Sequence, residues 1–267
     1  MLGDVMAQVR ARRPRIHCIT NYVTANDCAN MVLAGGGTVI MADDPDEVTE
    51  VTAICDGLVL NMGTPSPRKL EAMLRAGLEA NRRGIPVVLD PVGVGCSAMR
   101  RAAGQRLMEQ VRFTAIRGNA TEIAALAQGT VGHSGVDADA ENGAEAENAR
   151  SLARQSGAVI VMSGEQDRVT DGQRLYRVAN GHPMMRDVTG TGCQLSALLG
   201  AYVTACGEKP LEAALAAVCA MGLCGETAYD RLTAQEGNAS YRNHIIDAMY
   251  RLTPKALEEG AQYDVEE

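Results

Sequence analysis

The stretch IHCITNYVTANDCAN, residues 16–30, holds the unit on which the fold turns. A short apolar run, Ile16 to Ile19, stops at the polar pair Thr20-Asn21. Thr24, with Asp27 three residues on, then supplies the capping side chain and the acidic first turn of a helix. Gly35 to Gly37 ends that helix. The unit reads strand, polar turn, helix. It recurs along the chain, with further apolar runs at Val39 to Met41, Leu58 to Asn61, Pro86 to Asp90, Thr114 to Arg117 and Val159 to Met162. Asp44 before Pro45 and Ser66 before Pro67 mark two more helix starts. Strands spaced by helical stretches predict an α/β domain with a mostly parallel central sheet flanked by helices.

The rhythm then changes. Arg168 to Arg177, around Asp171-Gly172, reads as a hairpin with a type I′ turn, so an antiparallel pair follows the parallel strands. Gly129 to Gly143 is polar and Gly-rich. Strands of one type flank it, which favours a long surface loop over a linker between two domains. From Thr191 the pattern is helical, with predicted helices at Gln194 to Ala205, Leu211 to Tyr229 and His244 to Arg251. The last stretch, 254–267, reads as a flexible, solvated tail.

Composition sets the class of partner. The 267 residues are 46% hydrophobic and 22% charged, a soluble-globular balance that excludes disorder, collagen and coiled coil. Seven Tyr, one Phe and no Trp leave the core to aliphatic side chains and offer no stacking platforms for single-stranded nucleic acid. A net charge of −8 argues against any polyanionic surface as partner and favours a small molecule. The uncharged stretch from Val188 to Gly207 opens on a Gly/Thr-rich turn, so no membrane span is expected there. The first residues carry no apolar core of a secretory leader, and eight cysteines without a CxxC pair read as reduced thiols. A cytoplasmic enzyme is the expectation.

In an open parallel sheet the ligand crevice lies beyond the carboxyl ends of the strands. Polar and glycine residues gather there in this sequence: Thr20-Asn21, Asp43-Asp44, Gly63-Thr64, Asp90, Gly93, Gly118 to Glu122 and Ser163-Gly164. DVTGTGC, residues 187–193, then opens a long apolar helix. Gly190 and Gly192 allow backbone to approach a ligand, and a helix start offers free N–H groups to an anion. Leu195 stands where a dinucleotide fingerprint needs its third glycine, and none of the three lysines follows a Gly-rich turn as a P-loop requires. Asn119 and Glu122, three apart, could hold hydrated Mg²⁺ or could simply start a helix; Asp90 before Pro91 could orient a metal-bound water or form a turn. His17, inside a strand, reads as a core residue, and no spacing suggests zinc.

Five strings in register, HCITNYVTANDCAN (17–30), IMADDPDEV (40–48), VVLDPVGVG (87–95), AIRGNATEI (115–123) and DVTGTGC (187–193), resemble the hydroxyethylthiazole kinases from about Ile16 to Leu252. The resemblance implies a single ribokinase-like three-layer domain over 1–267 and a homotrimer with active sites between neighbouring subunits. It also implies ATP-dependent, Mg²⁺-supported phosphorylation of 5-(2-hydroxyethyl)-4-methylthiazole in thiamine salvage. It puts substrate contacts at Met41 and Gly190, with Asn21 and Val23 as further pocket walls. Its ATP contacts fall at Arg117 and Ser163. The residues themselves assign the helix entry Thr189, Gly190, Thr191, Gly192 and Cys193 to the γ-phosphate and the reacting hydroxyl, and Asp90, Asn119 and Glu122 to Mg²⁺ and its waters. Ser163 stands where the family usually has Thr, Gly237-Asn238-Ala239-Ser240 departs from a usual GPGS, and Gln194 is unusual after the cysteine. Cys193 replaces the aspartate of the sugar kinases. The rivals are another ribokinase-like vitamin or pyrimidine kinase, an ATP-dependent hydrate dehydratase, and a non-catalytic nucleotide-binding regulator.

Overall fold

The computed structural model describes residues 1–128 and 138–266. Six strands, β1 (Arg15–Ile19), β2 (Thr38–Met41), β3 (Gly57–Asn61), β4 (Val87–Asp90), β5 (Ala115–Asn119) and β6 (Val159–Ser163), run parallel. Each falls on an apolar run read from the sequence. Next come β7 (Asp167–Thr170), β8 (Leu175–Val178) and β9 (Tyr263–Val265), all antiparallel to their neighbours, giving one sheet in the order β2-β1-β3-β4-β5-β6-β7-β8-β9.

Both faces of the sheet are covered, because successive strand side chains alternate. Val59 and Val88 point to a core shared with α1 (Leu2–Arg12), α2 (Ala25–Gly35), α8 (Thr191–Ala205), α9 (Pro210–Asp230), α10 (Asn238–Arg251) and α11 (Pro254–Gly260). Leu58, Leu60 and Leu89 point to the other core, under α3 (Val48–Ala53), α4 (Pro67–Arg83), α5 (Ala98–Gln110), α6 (Ala120–Gln128) and α7 (Ala138–Ser156). The three layers form one domain. The 21-residue α9 is long and apolar enough to cross a membrane, yet 78% of its apolar window is buried within the fold. Its apolar surface is used as core.

Three local expectations need correction. The tail at 254–267 is not loose through its described part. Thr253 caps α11 by accepting from Ala256 N at 3.1 Å, Leu257 is fully buried, and β9 extends the sheet, with Arg177 Nη2 2.7 Å from Asp264 Oδ2. One cap, one Pro and one Leu outweigh an acidic composition. The hairpin loop is four residues, since Thr170 pairs with Leu175; Asp171 Oδ1 accepts from Gln173 N and Arg174 N, which closes this wider loop without a type I′ turn. Within the Gly129 to Gly143 stretch, residues 129–137 lie outside the described residues, and from Ala138 the chain is helical. The opening residues, for which no element was read from the sequence, form α1 by burying Leu2, Val5, Met6 and Val9, an i, i+3, i+4, i+7 face.

Candidate active site

The predicted residues meet at the carboxyl ends of β1, β3, β4, β5 and β6. α8 starts there with Gly190 as its cap at φ +85°, a conformation that other residues adopt only with strain. A Cβ on Gly190 would also stand 2.2 Å from Thr24 Cγ2. One on Gly192 would stand 2.3 Å from Arg117 Nη1, so the guanidinium lies directly on the helix start. Arg117 donates to Ser163 Oγ and holds Nη1 3.9 Å from Asp90 Oδ1. The first N–H groups of α8, the guanidinium and the Ser163 hydroxyl thus face one space, a combination suited to phosphate oxygens.

Asp90, at the end of β4, is fully buried. Its Oδ2 accepts from Asn61 Nδ2 at 2.7 Å and Ser196 Oγ at 2.8 Å, whereas Oδ1 has no hydrogen-bond partner. Burial pushes its carboxyl up to about 6, against the pull of Arg117. Cys193 Sγ receives two amide N–H groups, from Asn61 Nδ2 at 3.2 Å and Asn21 Nδ2 at 3.4 Å. Burial first, then the Asp90 charge, holds its thiol above the usual range. At neutral pH it is a thiol. Glu122 Oε1 accepts from Gly93 N at 2.7 Å and Oε2 from Asn119 N at 2.8 Å, while Asn119 Oδ1 accepts from Glu122 N and Thr121 Oγ1. The N-x-x-E pattern is therefore a reciprocal capping box that also ties α6 to the loop after β4.

A cavity of about 540 Å³ opens from this cluster. Arg117, Ser163, Thr191 and Gly192 line one part; Asp167, His182, Met185 and Met221 line others. Burial pushes the Asp167 carboxyl up to about 6 as well. Thr189 is exposed just before the helix start. Val23, 55% exposed, and Met41, 39% exposed at the end of the edge strand β2, stand outside the cavity lining. His17 is a satisfied core residue, bonded to Thr52 Oγ1 and the Ala42 carbonyl at 2.9 Å each. Thr24 gives no side-chain cap; Asn21 Oδ1 holds the start of α2 by accepting from Val23 N and Thr24 N. Sequence reading did not single out Asn61, Ser196, Asp167 or the buried Lys69, whose Nζ donates to the Thr20 carbonyl at 3.0 Å. A polar residue closing an otherwise apolar strand was the available signal for Asn61.

A parallel sheet that carries an anion-binding helix start and a buried carboxylate to one cavity is the layout of the ribokinase-like fold. The chain aligns with a ribokinase-like superfamily protein from Enterococcus faecalis at TM-score 0.65, over 97% of this chain and 95% of that one; 12% identity makes it a likeness of fold alone. The family is narrower. The family model described as the Hydroxyethylthiazole kinase family matches residues 6–255, and the chain belongs to that family. It is 48% identical to the hydroxyethylthiazole kinase of Clostridium acetobutylicum over 99% of both chains. A hydroxyethylthiazole kinase structure from Pyrococcus horikoshii matches at TM-score 0.89 and 32% identity, over 100% of this chain and 99% of that one.

Proposed function

We propose that this protein transfers the γ-phosphoryl group of ATP to the hydroxyl of 5-(2-hydroxyethyl)-4-methylthiazole, in the cytoplasm, as a step of thiamine salvage. The observation that carries the reading is the start of α8. Two glycines bare its backbone, with Arg117 lying on one of them and the unpartnered Asp90 Oδ1 beside the guanidinium. Phosphoryl transfer asks little covalent chemistry of a protein and much positioning and charge neutralisation. Thr189 to Cys193 receive the γ-phosphoryl oxygens and the attacking hydroxyl. Arg117 and Ser163 hold the nucleotide phosphates, and the rest of the cavity takes the nucleoside.

The donor set fits Mg²⁺, an ion that keeps several waters and takes few protein ligands. Asp90 offers a buried oxygen with no partner, and Glu122, bonded to two backbone amides, still has lone pairs for metal-bound water. Asn119 Oδ1 already accepts two hydrogen bonds, so its part is to hold Glu122. When bound, the ion neutralises charge on the β- and γ-phosphates. Met41 ends β2 and Glu122 lies in the first turn of α6 just after β5, strands four places apart in the sheet and on the order of 19 Å across. One small thiazole does not bridge that span. The separation fits pockets shared between copies, as in the homotrimer the family resemblance implies, with the exposed Met41 and Val23 of one copy walling a pocket that a neighbour completes, while Asn21 stays bonded to Cys193 of its own chain.

ADP release measured with thiazole alcohol, hydroxymethylpyrimidine, pyridoxal and ribose as acceptors tests the reading. Turnover with the thiazole at least tenfold above the other three is expected. Preference for another acceptor would replace the substrate, and ADP release with none would refute the kinase.

A further inference from the structure

Asn61 is buried, sits at the last position of β3 and uses every hydrogen-bonding position of its side chain. Oδ1 accepts from Gly63 N at 2.9 Å and Asn21 Nδ2 at 3.0 Å. Nδ2 donates to Asp90 Oδ2 at 2.7 Å and Cys193 Sγ at 3.2 Å. The orientation of this amide is not free. Gly63 N–H can only donate, so the atom facing it must be oxygen, and the NH₂ must face Asp90 and Cys193. Asn21 is fixed by the same logic. Val23 N and Thr24 N both donate to its Oδ1, which turns its own NH₂ toward Asn61 Oδ1 and Cys193 Sγ. Two backbone turns, after β1 and after β3, therefore dictate where four amide hydrogens point.

We propose that Asn61 is a positioning residue for the phosphoryl transfer, one that fixes the Asp90 carboxylate and the Cys193 sulfur relative to each other. Its NH₂, with the Ser196 hydroxyl, engages Asp90 Oδ2 and so leaves Oδ1 as the oxygen presented toward Arg117. Its second hydrogen draws Sγ back to the strand end and keeps the mouth of the helix start open for an incoming oxyanion. Asn61 lines no part of the cavity and acts through its two partners. Displacement of either partner by about 1 Å is the error it prevents, and misplacement of that order can cost about 100-fold in rate.

The proposal rests on the kinase reading above, so the kinetics are taken on whichever acceptor of the panel the wild-type protein phosphorylates. A change of preferred substrate then leaves the role of Asn61 testable on its own. The decisive variant is Asn61→Asp. It keeps the shape and the Oδ1 acceptor that Gly63 and Asn21 need, removes the N–H to Cys193 Sγ, and sets a second carboxyl 2.7 Å from Asp90 Oδ2, where the two must share a proton; Asn61→Ala removes both donors without adding a charge. A fall in kcat of about 100-fold is expected, with KM for ATP and for the alcohol within about threefold of wild type. Asn61→Ala should give the same split. In a Cys193→Ala background the kcat cost of Asn61→Ala should shrink several-fold, because one of its two partners is gone. Circular dichroism and urea midpoints verify folding of each variant. If Asn61→Ala retains kcat within about threefold of wild type, or if the loss in either variant lies wholly in KM, the role is confined to the loop and the proposal is wrong. Full additivity with Cys193→Ala would also overturn it.

Discussion

Replacing Asp90 with Asn should make the protein more stable at neutral pH while removing its turnover. The carboxyl is raised from 3.8 to about 6, chiefly by burial. A displacement of roughly two pH units corresponds to about 3 kcal/mol between the two protonation states. The sign follows from which state holds the proton more tightly. The folded protein does, so between about pH 4 and about pH 6 the unfolded chain loses its proton first, and stability falls as pH rises. The full cost stands above that window and vanishes below it. An amide at position 90 mimics the neutral acid and can still accept from Asn61 and Ser196 through its oxygen. The lost attraction to Arg117 is already contained in the net shift. Urea unfolding followed by circular dichroism, in EDTA so that no divalent ion offsets the charge, reads the difference directly. Asp90→Asn should gain about 2 to 3 kcal/mol near pH 8 and close to nothing near pH 4. A gain equal at both pH values, or a loss near pH 8, would refute the argument that burial of this charge strains the fold.

Cys193→Ala should keep kcat within roughly 100-fold of wild type, since the thiol is held protonated and the backbone N–H groups of α8 remain; a larger loss, with disappearance of a thiol-like pH limb, would make Cys193 the general base. Gly192→Val should cost far more in the same single-turnover assay, because its side chain meets the Arg117 guanidinium and displaces it from Ser163. Mixing inactive Met41→Arg and Glu122→Gln proteins under subunit exchange should restore part of the activity if each pocket takes Met41 from one copy and Glu122 from another; no recovery would place both on the same side of every site.

Five of the six parallel strands were legible because a strand buried on both faces must be a continuous apolar run, and each of these runs ends at a polar or glycine residue where the sheet meets the ligand space; β2, the half-exposed edge, ends on Met41-Ala42 instead. The same rule singled out Asn21, Asp90, Glu122 and Ser163, while Arg117, inside its run, became a candidate only through the family resemblance. Two kinds of feature escaped it. Tyr263–Val265 is too short and too exposed to advertise itself, and pairs because α11 returns the chain to β8. Asn61 and Ser196 look like an ordinary strand end and an ordinary helix residue. Their meaning appears only when β3, β4 and α8 converge, which no local spacing records. At Asn119 and Glu122 the sequence left metal binding and helix capping open, and the capping bonds are both present.

Charge decides how a nucleotide can enter this site. Arg117 and Arg186 are the basic residues of the cavity lining, and Glu165 and Asp167 stand against them in the same lining. Asp90 and Glu122 add carboxylates at the phosphate end. A bare triphosphate would therefore meet at least as much negative charge as positive, and at the low effective dielectric of a half-closed cavity that repulsion is severe. The start of α8 contributes about half a positive charge, too little to reverse the balance. On the proposed kinase reading, a divalent cation on the nucleotide would offset it, and the Asp90 and Glu122 carboxylates would then be the groups to hold that ion. The acidic character of the phosphate end thus favours the metal-nucleotide complex over free ATP. The unpartnered oxygen of Asp90, costly to the folded protein by itself, would find its use in the proposed complex.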